Sequence, residues 1–461
     1  MQSMRSRSNS IAAARAVPKA GLAVASVDEK LPPAFICYCL FVVSYFLHMG
    51  SRVPPLGTIR IDLLLAAATI AFLFMGKKQV GAPPAPIATA SRILLIISIY
   101  VLVSLPFVRW PGTVLRGGWE VFLKSLFFFI FTVATVKTEK RLKIFLYVFV
   151  GVQTFRVLEP LFLNITTGYW GSFTDMGDAE LMNRLAGAPS DVINPNGLAF
   201  VIIIAVCFLH HLLGRGSRKH QVAYVLLLAP LLYAMLLTSS RSGALVLALF
   251  GLLVIWRSRH RVAALSAVGV IVVVIFASMS DLERQRYISI VDHSAKGGAS
   301  SQGRVEGLWI DLGVGLQRPL FGHGLGTSAE ANFHAYGKAM PSHTLYTEVL
   351  QELGGIGLIL FVTFMVTTWK NIKLAIAEAE RQQREFSLRA AQGLRDFFIL
   401  LMIFSVASYG LNEYQWYLVA GLAVVSCRVL GVLPQPGKRV RRQAIAARGG
   451  TAPPPARGGI K

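Results

Sequence analysis

Three side chains in this 461-residue chain have the types and surroundings for group-transfer chemistry: Arg241, Arg304 and His343. Arg241 sits in LLTSSRSGALVLALF, at a turn between two apolar runs, among the hydroxyls of Ser239, Ser240 and Ser242. Gly243 follows and permits close backbone approach. A charge held near membrane depth is costly and is a functional candidate by default; the competing reading is an arginine that snorkels to the headgroups. Arg304 lies in GASSQGRVEGLWIDLGVGL, where a flexible Ser/Gly run leads into a helix expected over 304–316. Leu308 and Asp311 fall near its face, so a surface contact with Asp311 or Glu306 is the alternative. His343 sits in MPSHTLYTEVLQELGGIG, where Pro341 and Ser342 mark a helix start. His343 is then expected in the first turn. A helix N-terminus disfavours the imidazolium, which leaves a neutral ring suited to general-base work; a capping or packing histidine is the alternative. Guanidinium groups bind phosphate oxygens in a bidentate fork and stay charged.

Candidate substrate contacts surround these three: Arg184, Asn196, Ser240, Arg318 and His323. Arg184, Asp191, Asn194 and Asn196 stand in NRLAGAPSDVINPNGLAF, where an apolar run meets a polar loop. At face value Asn194-Pro195-Asn196 is a turn and helix cap. The segment PLFGHGLG, 319–326, is a glycine-rich turn with no preceding strand and no P-loop lysine, so it is neither a Rossmann nor a Walker element. Its glycines are expected to let backbone run close to a ligand or to the membrane face. Glu348 and Glu352 follow His343 on the same expected helix and are placed to orient partners. Arg284 and Arg286 read as solvated or paired. Asp175 and Asp178 are too loosely spaced for a persuasive metal pair, and the four cysteines, all in apolar runs, read as reduced small hydrophobes. No cofactor is expected.

The elements that must position these residues are membrane helices. The chain is 54% hydrophobic and only 15% charged, well below the soluble norm of about 25%. Twelve apolar runs are expected to span: 34–49, 57–75, 91–108, 118–136, 142–162, 193–213, 221–238, 242–256, 262–279, 353–370, 396–415 and 416–432. The net charge of +23 does not point to nucleic acid, because the basic residues sit in short loops between these runs. With the N-terminus inside, the inner segments hold 32 of the 46 Lys and Arg residues, as the positive-inside rule requires. Both termini are then cytoplasmic. The outer segments are 163–192, the Ser239–Ser242 turn and the long stretch 280–352. Residues 1–33 and 433–461 are expected to be disordered basic tails flanking a transmembrane domain over 34–432. The inner segment 370–395 reads as an amphipathic surface helix.

A transferase on the outer face of an inner membrane meets no nucleotide sugar, so its donor must arrive activated on a lipid carrier. A glycan on a polyprenyl diphosphate fits, and two arginines with one histidine suffice for a metal-independent displacement at its anomeric carbon. The strings SSRSGALVLALF, GRVEGLW, RPLFGHGLG and PSHTLYTEVLQELGGIGLILF, with RLAGAPSDVINPNGLAF before them, resemble the O-antigen ligase and O-antigen polymerase family of bacterial membrane proteins over about residues 180–370. The resemblance implies an all-α, GT-C-like fold in the bacterial inner membrane with its active site on the periplasmic face. It implies transfer from undecaprenyl diphosphate, with Arg241 and Arg304 binding the diphosphate and His343 activating the acceptor hydroxyl. The acceptor would be lipid A–core for a ligase, the favoured reading, or a second lipid-linked repeat unit for a polymerase of O-antigen, capsule or exopolysaccharide. The family often carries Asn after this histidine, where this chain has Thr344. A transporter or flippase is the alternative class. It would account for the charges at Lys124, Arg156 and Glu159 but predicts a repeat symmetry that is not visible in the sequence. A structural scaffold in an envelope complex is the third class, and it needs no Arg/Arg/His set.

Overall fold

The structure, a computed structural model, describes residues 30–76, 88–176, 180–258, 261–262, 265–266, 269, 279–289, 299–337, 339–342, 344–408 and 410–433. The described helical framework belongs to one compact unit, Pro33–Lys461. It is an all-helical membrane protein with one small strand pair. Leaving aside helical turns of five residues or fewer, the first five helices are α1 (Pro33–Leu47), α2 (Ile61–Met75), α3 (Thr89–Val103), α4 (Trp119–Thr135) and α5 (Glu139–Thr167). The hairpin β1 (Gly171–Asp175) and β2 (Leu181–Leu185) follows, pairing antiparallel with Ser172 opposite Arg184. Then come α6 (Pro195–Leu209), α7 (Arg218–Thr238), α8 (Arg241–Trp256), α9 (Asp281–Ile288), α10 (Ala299–Leu316) and α11 (Ser328–Tyr336). The last three are α12 (Leu345–Arg381), α13 (Glu385–Phe404) and α14 (Tyr414–Val429).

Ten of the twelve expected runs coincide with helices; the eleventh, 396–415, is helical only in part, and the ninth, 262–279, falls mostly outside the described residues. Among the described residues, five helical segments are long and apolar enough to cross a membrane: Pro111–Thr135, Glu139–Thr167, Pro195–Gly214, Arg218–Thr238 and Leu345–Arg381. Four shorter apolar helices, α1, α2, α3 and α8, have 15 or 16 residues. The expected tails lie outside the described residues apart from 30–33 and 433.

The structure departs from the sequence expectation at two places in this region. Residues 370–395 do not form a separate surface helix: α12 runs on to Arg381, turns at Gln382–Arg384, and α13 leaves from Glu385. The buried face of that hairpin, Ala375, Ala379 and Ala391, packs on Cys427 and Leu430 of the last helix. Its amphipathicity therefore serves the core. The run 396–415 is also not one span: α13 stops at Phe404, and the linker 405–413 separates it from α14.

Like α14, α6 is buried on nearly every side. It is apolar all round, as a central helix must be, and it packs against α5, α7, α8 and α13. An aromatic cluster, Tyr38, Phe46, Phe128, Phe145, Phe149 and Tyr414, joins α1, α4, α5 and α14. The charges that a transporter would use are engaged within the protein. Arg156 binds Asp191 through two bonds (2.6 and 3.0 Å), Glu159 pairs with Arg52, and Lys124 pairs with Glu120 one helical turn away.

Candidate active site

The site is built where helices end. α7 terminates at Thr238, and Ser239 takes a left-handed conformation (φ 47°) that reverses the chain into α8. The last carbonyls of a helix lack intrahelical partners and attract cations. Two arginines meet that need: Arg184 Nε donates to the Thr238 carbonyl (2.8 Å) and Arg286 Nε to the Ser239 carbonyl (2.8 Å). Both are buried. Arg184 also donates to Asn196 Oδ1 (3.0 Å) and Thr174 Oγ1 (3.3 Å), tying the hairpin to α6 and α7. Ser240 caps α8 and donates to the same Asn196 oxygen (2.9 Å). Three candidate contacts, Arg184, Asn196 and Ser240, thus meet at one point.

Arg241 is the first residue of α8 and half-buried; one of its Nη atoms donates to Ser289 Oγ (2.5 Å). A cation at a helix N-terminus opposes the macrodipole, so the fold spends stability to hold it there. The same helix end favours an anion.

The segment around His343 is fixed from three sides. Asp311, fully buried on α10, accepts from Ser342 Oγ (3.0 Å) and from Asn332 Nδ2 on α11 (2.9 Å). Asn332 also donates to the Met340 carbonyl (2.9 Å), and Gln351 of α12 donates to Asn332 Oδ1 (2.9 Å). The helix begins two residues later than the sequence implied. Thr344 is the N-cap, accepting from the Thr347 amide (3.2 Å), and α12 starts at Leu345. His343, itself outside the described residues, therefore precedes the cap rather than occupying the first turn. Thr344 suits this N-cap, as Asn also would. Arg304 lies on α10, seven residues before Asp311, about two turns or 10 Å along the axis. The Ser/Gly run before it is helical from Ala299 rather than a flexible lead.

A cleft of about 420 Å³ opens beside these segments. Met340, Pro341 and Ser342 form part of its wall, with Asn194 and Asn196 from the start of α6, Arg156, and the linker residues Ser405, Ser408, Gly410 and Glu413. Glu413 is exposed and lines the cleft. Desolvation pushes its carboxyl pKa up, opposed by Arg156 and a hydrogen bond from Gln415. Glu413 carried no sequence motif. Its one legible mark was a lone carboxylate at the junction of two apolar runs.

Arg318 and His323 lie apart from the cleft lining. Arg318 donates to the Phe107 carbonyl (2.9 Å). His323 is buried, donates through Nε2 to the Val314 carbonyl (3.0 Å) and stacks on Trp110; burial lowers its pKa. The glycines of 319–326 bring backbone against the protein itself rather than a ligand or the membrane. α12 breaks at Gly354 (φ 66°), and the Gly355 amide reaches the Pro319 carbonyl (2.7 Å). The His323 and Gly324 amides reach the carbonyls of Gln351 (2.7 Å) and Glu352 (2.9 Å). A Cβ at Gly354 would lie 2.3 Å from the Leu320 carbonyl oxygen. Glu352 accepts from the amides of Gly326 (2.7 Å) and Ser328 (3.2 Å); Glu348 accepts from those of Gly410 (2.7 Å) and Leu411 (2.9 Å). Both carboxylates thus orient loops, one holding the glycine turn and the other the cleft linker. Asp178 lies outside the described residues, so the loose Asp pair has no described geometry.

Residues 224–362, from within α7 to within α12, match the model of the O-antigen ligase family. Over this stretch the chain is similar to the O-antigen ligases. A search of the curated proteins found no match. The matched stretch contains Arg241, Arg304, Ser342 and the Asp311 network. The remaining cleft wall, from Arg156, α6 and the 405–416 region, is supplied by flanking sequence.

Proposed function

We propose that this protein is a membrane-embedded glycan transferase that moves a polysaccharide from undecaprenyl diphosphate to an acceptor hydroxyl. The reading places the cleft at the periplasmic face of a bacterial inner membrane. The observation that carries it is convergence. Ser342, next to His343, and Asn196, bonded to the residue before Arg241, line one cleft. Both arginines and the histidine also fall within the O-antigen ligase match.

In this reading His343 takes the proton of the acceptor hydroxyl. The oxygen attacks the anomeric carbon, and the bond from that carbon to the diphosphate oxygen breaks. The diphosphate leaves with the electron pair, and Arg241, at the N-terminus of α8, and Arg304 stabilise the charge it gains. The Ser342–Asp311–Asn332–Gln351 network keeps the histidine segment in register with the cleft. Glu413 is a second proton acceptor in the same space and acts on the acceptor side. Lipid A–core is the favoured acceptor.

Alanine at Arg241, Arg304 and His343, each followed by surface glycan on a gel, tests the proposal. Loss of glycan at wild-type protein levels is expected; normal glycan in all three variants contradicts it. A deletion strain separates the two acceptors. Full-length glycan retained on the lipid carrier with bare core identifies a ligase, and single lipid-linked repeat units identify a polymerase.

A further inference from the structure

A second cavity, about 510 Å³, lies between α2, α3 and α4, away from the cleft. Leu73, Leu94, Leu95, Leu126, Phe129, Ile130, Val133 and Ala134 make its body apolar, and Lys137 and Arg428 line it as well. Leu95 and Ile130 are about half exposed, so the groove opens on the outside of the bundle. Its lining on α4 runs from Leu126 to Ala134, about 12 Å of helix rise. That is close to one leaflet of a hydrocarbon core about 30 Å thick.

The cations cluster at one end of this groove. Lys137 follows the C-terminus of α4; Arg428 donates to the Val133 carbonyl (3.3 Å) and Arg141 to the Thr135 carbonyl (3.2 Å). Those carbonyls fix the guanidinium groups at the helix end. Their proximity costs Lys137: its pKa is lowered by desolvation and then by the charges of Arg141 and Arg428. An anion placed among the three relieves that repulsion.

We propose that this groove is a binding site for an anionic phospholipid. One acyl chain lies along α3 and α4, and the phosphate sits against Lys137 and Arg428 with Arg141 behind them. The one-leaflet length matches a fatty acyl chain and is too short for a polyprenyl chain, so the occupant is bulk phospholipid rather than the transferase's carrier. The site does not depend on the transferase reading, because it shares no residue with the cleft.

Native mass spectrometry of the full chain, purified in detergent and titrated with phosphatidylglycerol, phosphatidylcholine or undecaprenyl phosphate, tests it. The wild type should retain phosphatidylglycerol at least fivefold better than either of the others. The double variant Lys137→Gln with Arg428→Gln should lose that preference, and Lys137→Arg should keep it. Equal retention of phosphatidylglycerol and phosphatidylcholine, or an unchanged preference in the double variant, overturns the site. Stronger retention of undecaprenyl phosphate overturns its assignment to phospholipid. Loss in Lys137→Arg as well would show that shape rather than charge decides retention, which also contradicts the proposal.

Discussion

At one end of the bundle a single carboxylate, Asp396, gathers three basic groups: His211 Nε2 (2.9 Å), Arg257 (2.7 Å) and Arg395 (2.9 Å). Asp396 is fully buried, and Arg215 joins the rim through Gln392 (2.6 Å). At the other end Arg184, Arg241 and Arg286 bind carbonyls and hydroxyls around Ser239 and Ser240, beside an open cleft. His211 and Asn196 stand on one helical run fifteen residues apart, so the two ends are separated by about 22 Å. Both ends are rich in arginine. The first closes its charges around a carboxylate and locks helix ends together. The second spends its arginines on helix termini, keeps one at the start of α8 where the dipole opposes it, and leaves space for a ligand. Arginine is common to both ends; what the guanidinium groups face differs.

This contrast can be broken by mutation. The largest effect is expected at the cleft end: Arg241→Ala should reduce glycan transfer by about 100-fold or more while membrane protein levels stay normal. Lysine there should restore little, because it lacks the bidentate fork. The opposite end should answer differently. Asp396→Asn leaves Arg257, Arg395 and His211 without their shared carboxylate and should cost about 3 kcal/mol, read as a lower melting temperature and yield. Transfer per folded molecule should stay near wild type. A selective loss of transfer in that variant would erase the distinction between the ends.

Much of this organisation was legible in sequence, and the failures have physical causes. Apolar runs report burial or lipid exposure directly, so helix positions followed from them. Boundaries failed where that signal is blind. The polar linker 405–413 sits between apolar runs that nearly touch, and the amphipathic face of 370–395 packs on protein instead of a membrane surface. The glycine turn at 319–326 was recognised as a place of close backbone approach, but the partner, the break at Gly354, is distant in sequence. The Asp311–Asn332–Gln351 network joins three helices and has no local spacing to betray it. Arg241, by contrast, announced itself because a charge between two apolar runs is costly wherever it ends up.

Two smaller effects sharpen the cleft side. Ser342→Ala removes the tie from Asp311 to the histidine segment; a loss of about 1 kcal/mol should lower kcat roughly fivefold with KM little changed. Glu413→Gln tests the raised carboxyl pKa. If its carboxylate assists transfer, the wild-type rate falls as pH drops through a value above the ordinary glutamate range. The glutamine variant should lose that acid limb and run at the lower plateau throughout. An unchanged profile would remove Glu413 from the reaction.

Proton transfer by His343, the residue after Ser342, is open to direct measurement. Purified His343→Ala protein in lipid nanodiscs, given a labelled glycan on undecaprenyl diphosphate and an acceptor, measures it in a single turnover. Donor binding close to wild type with product below about one hundredth of the wild-type amount is the predicted result; product at wild-type rate would contradict it.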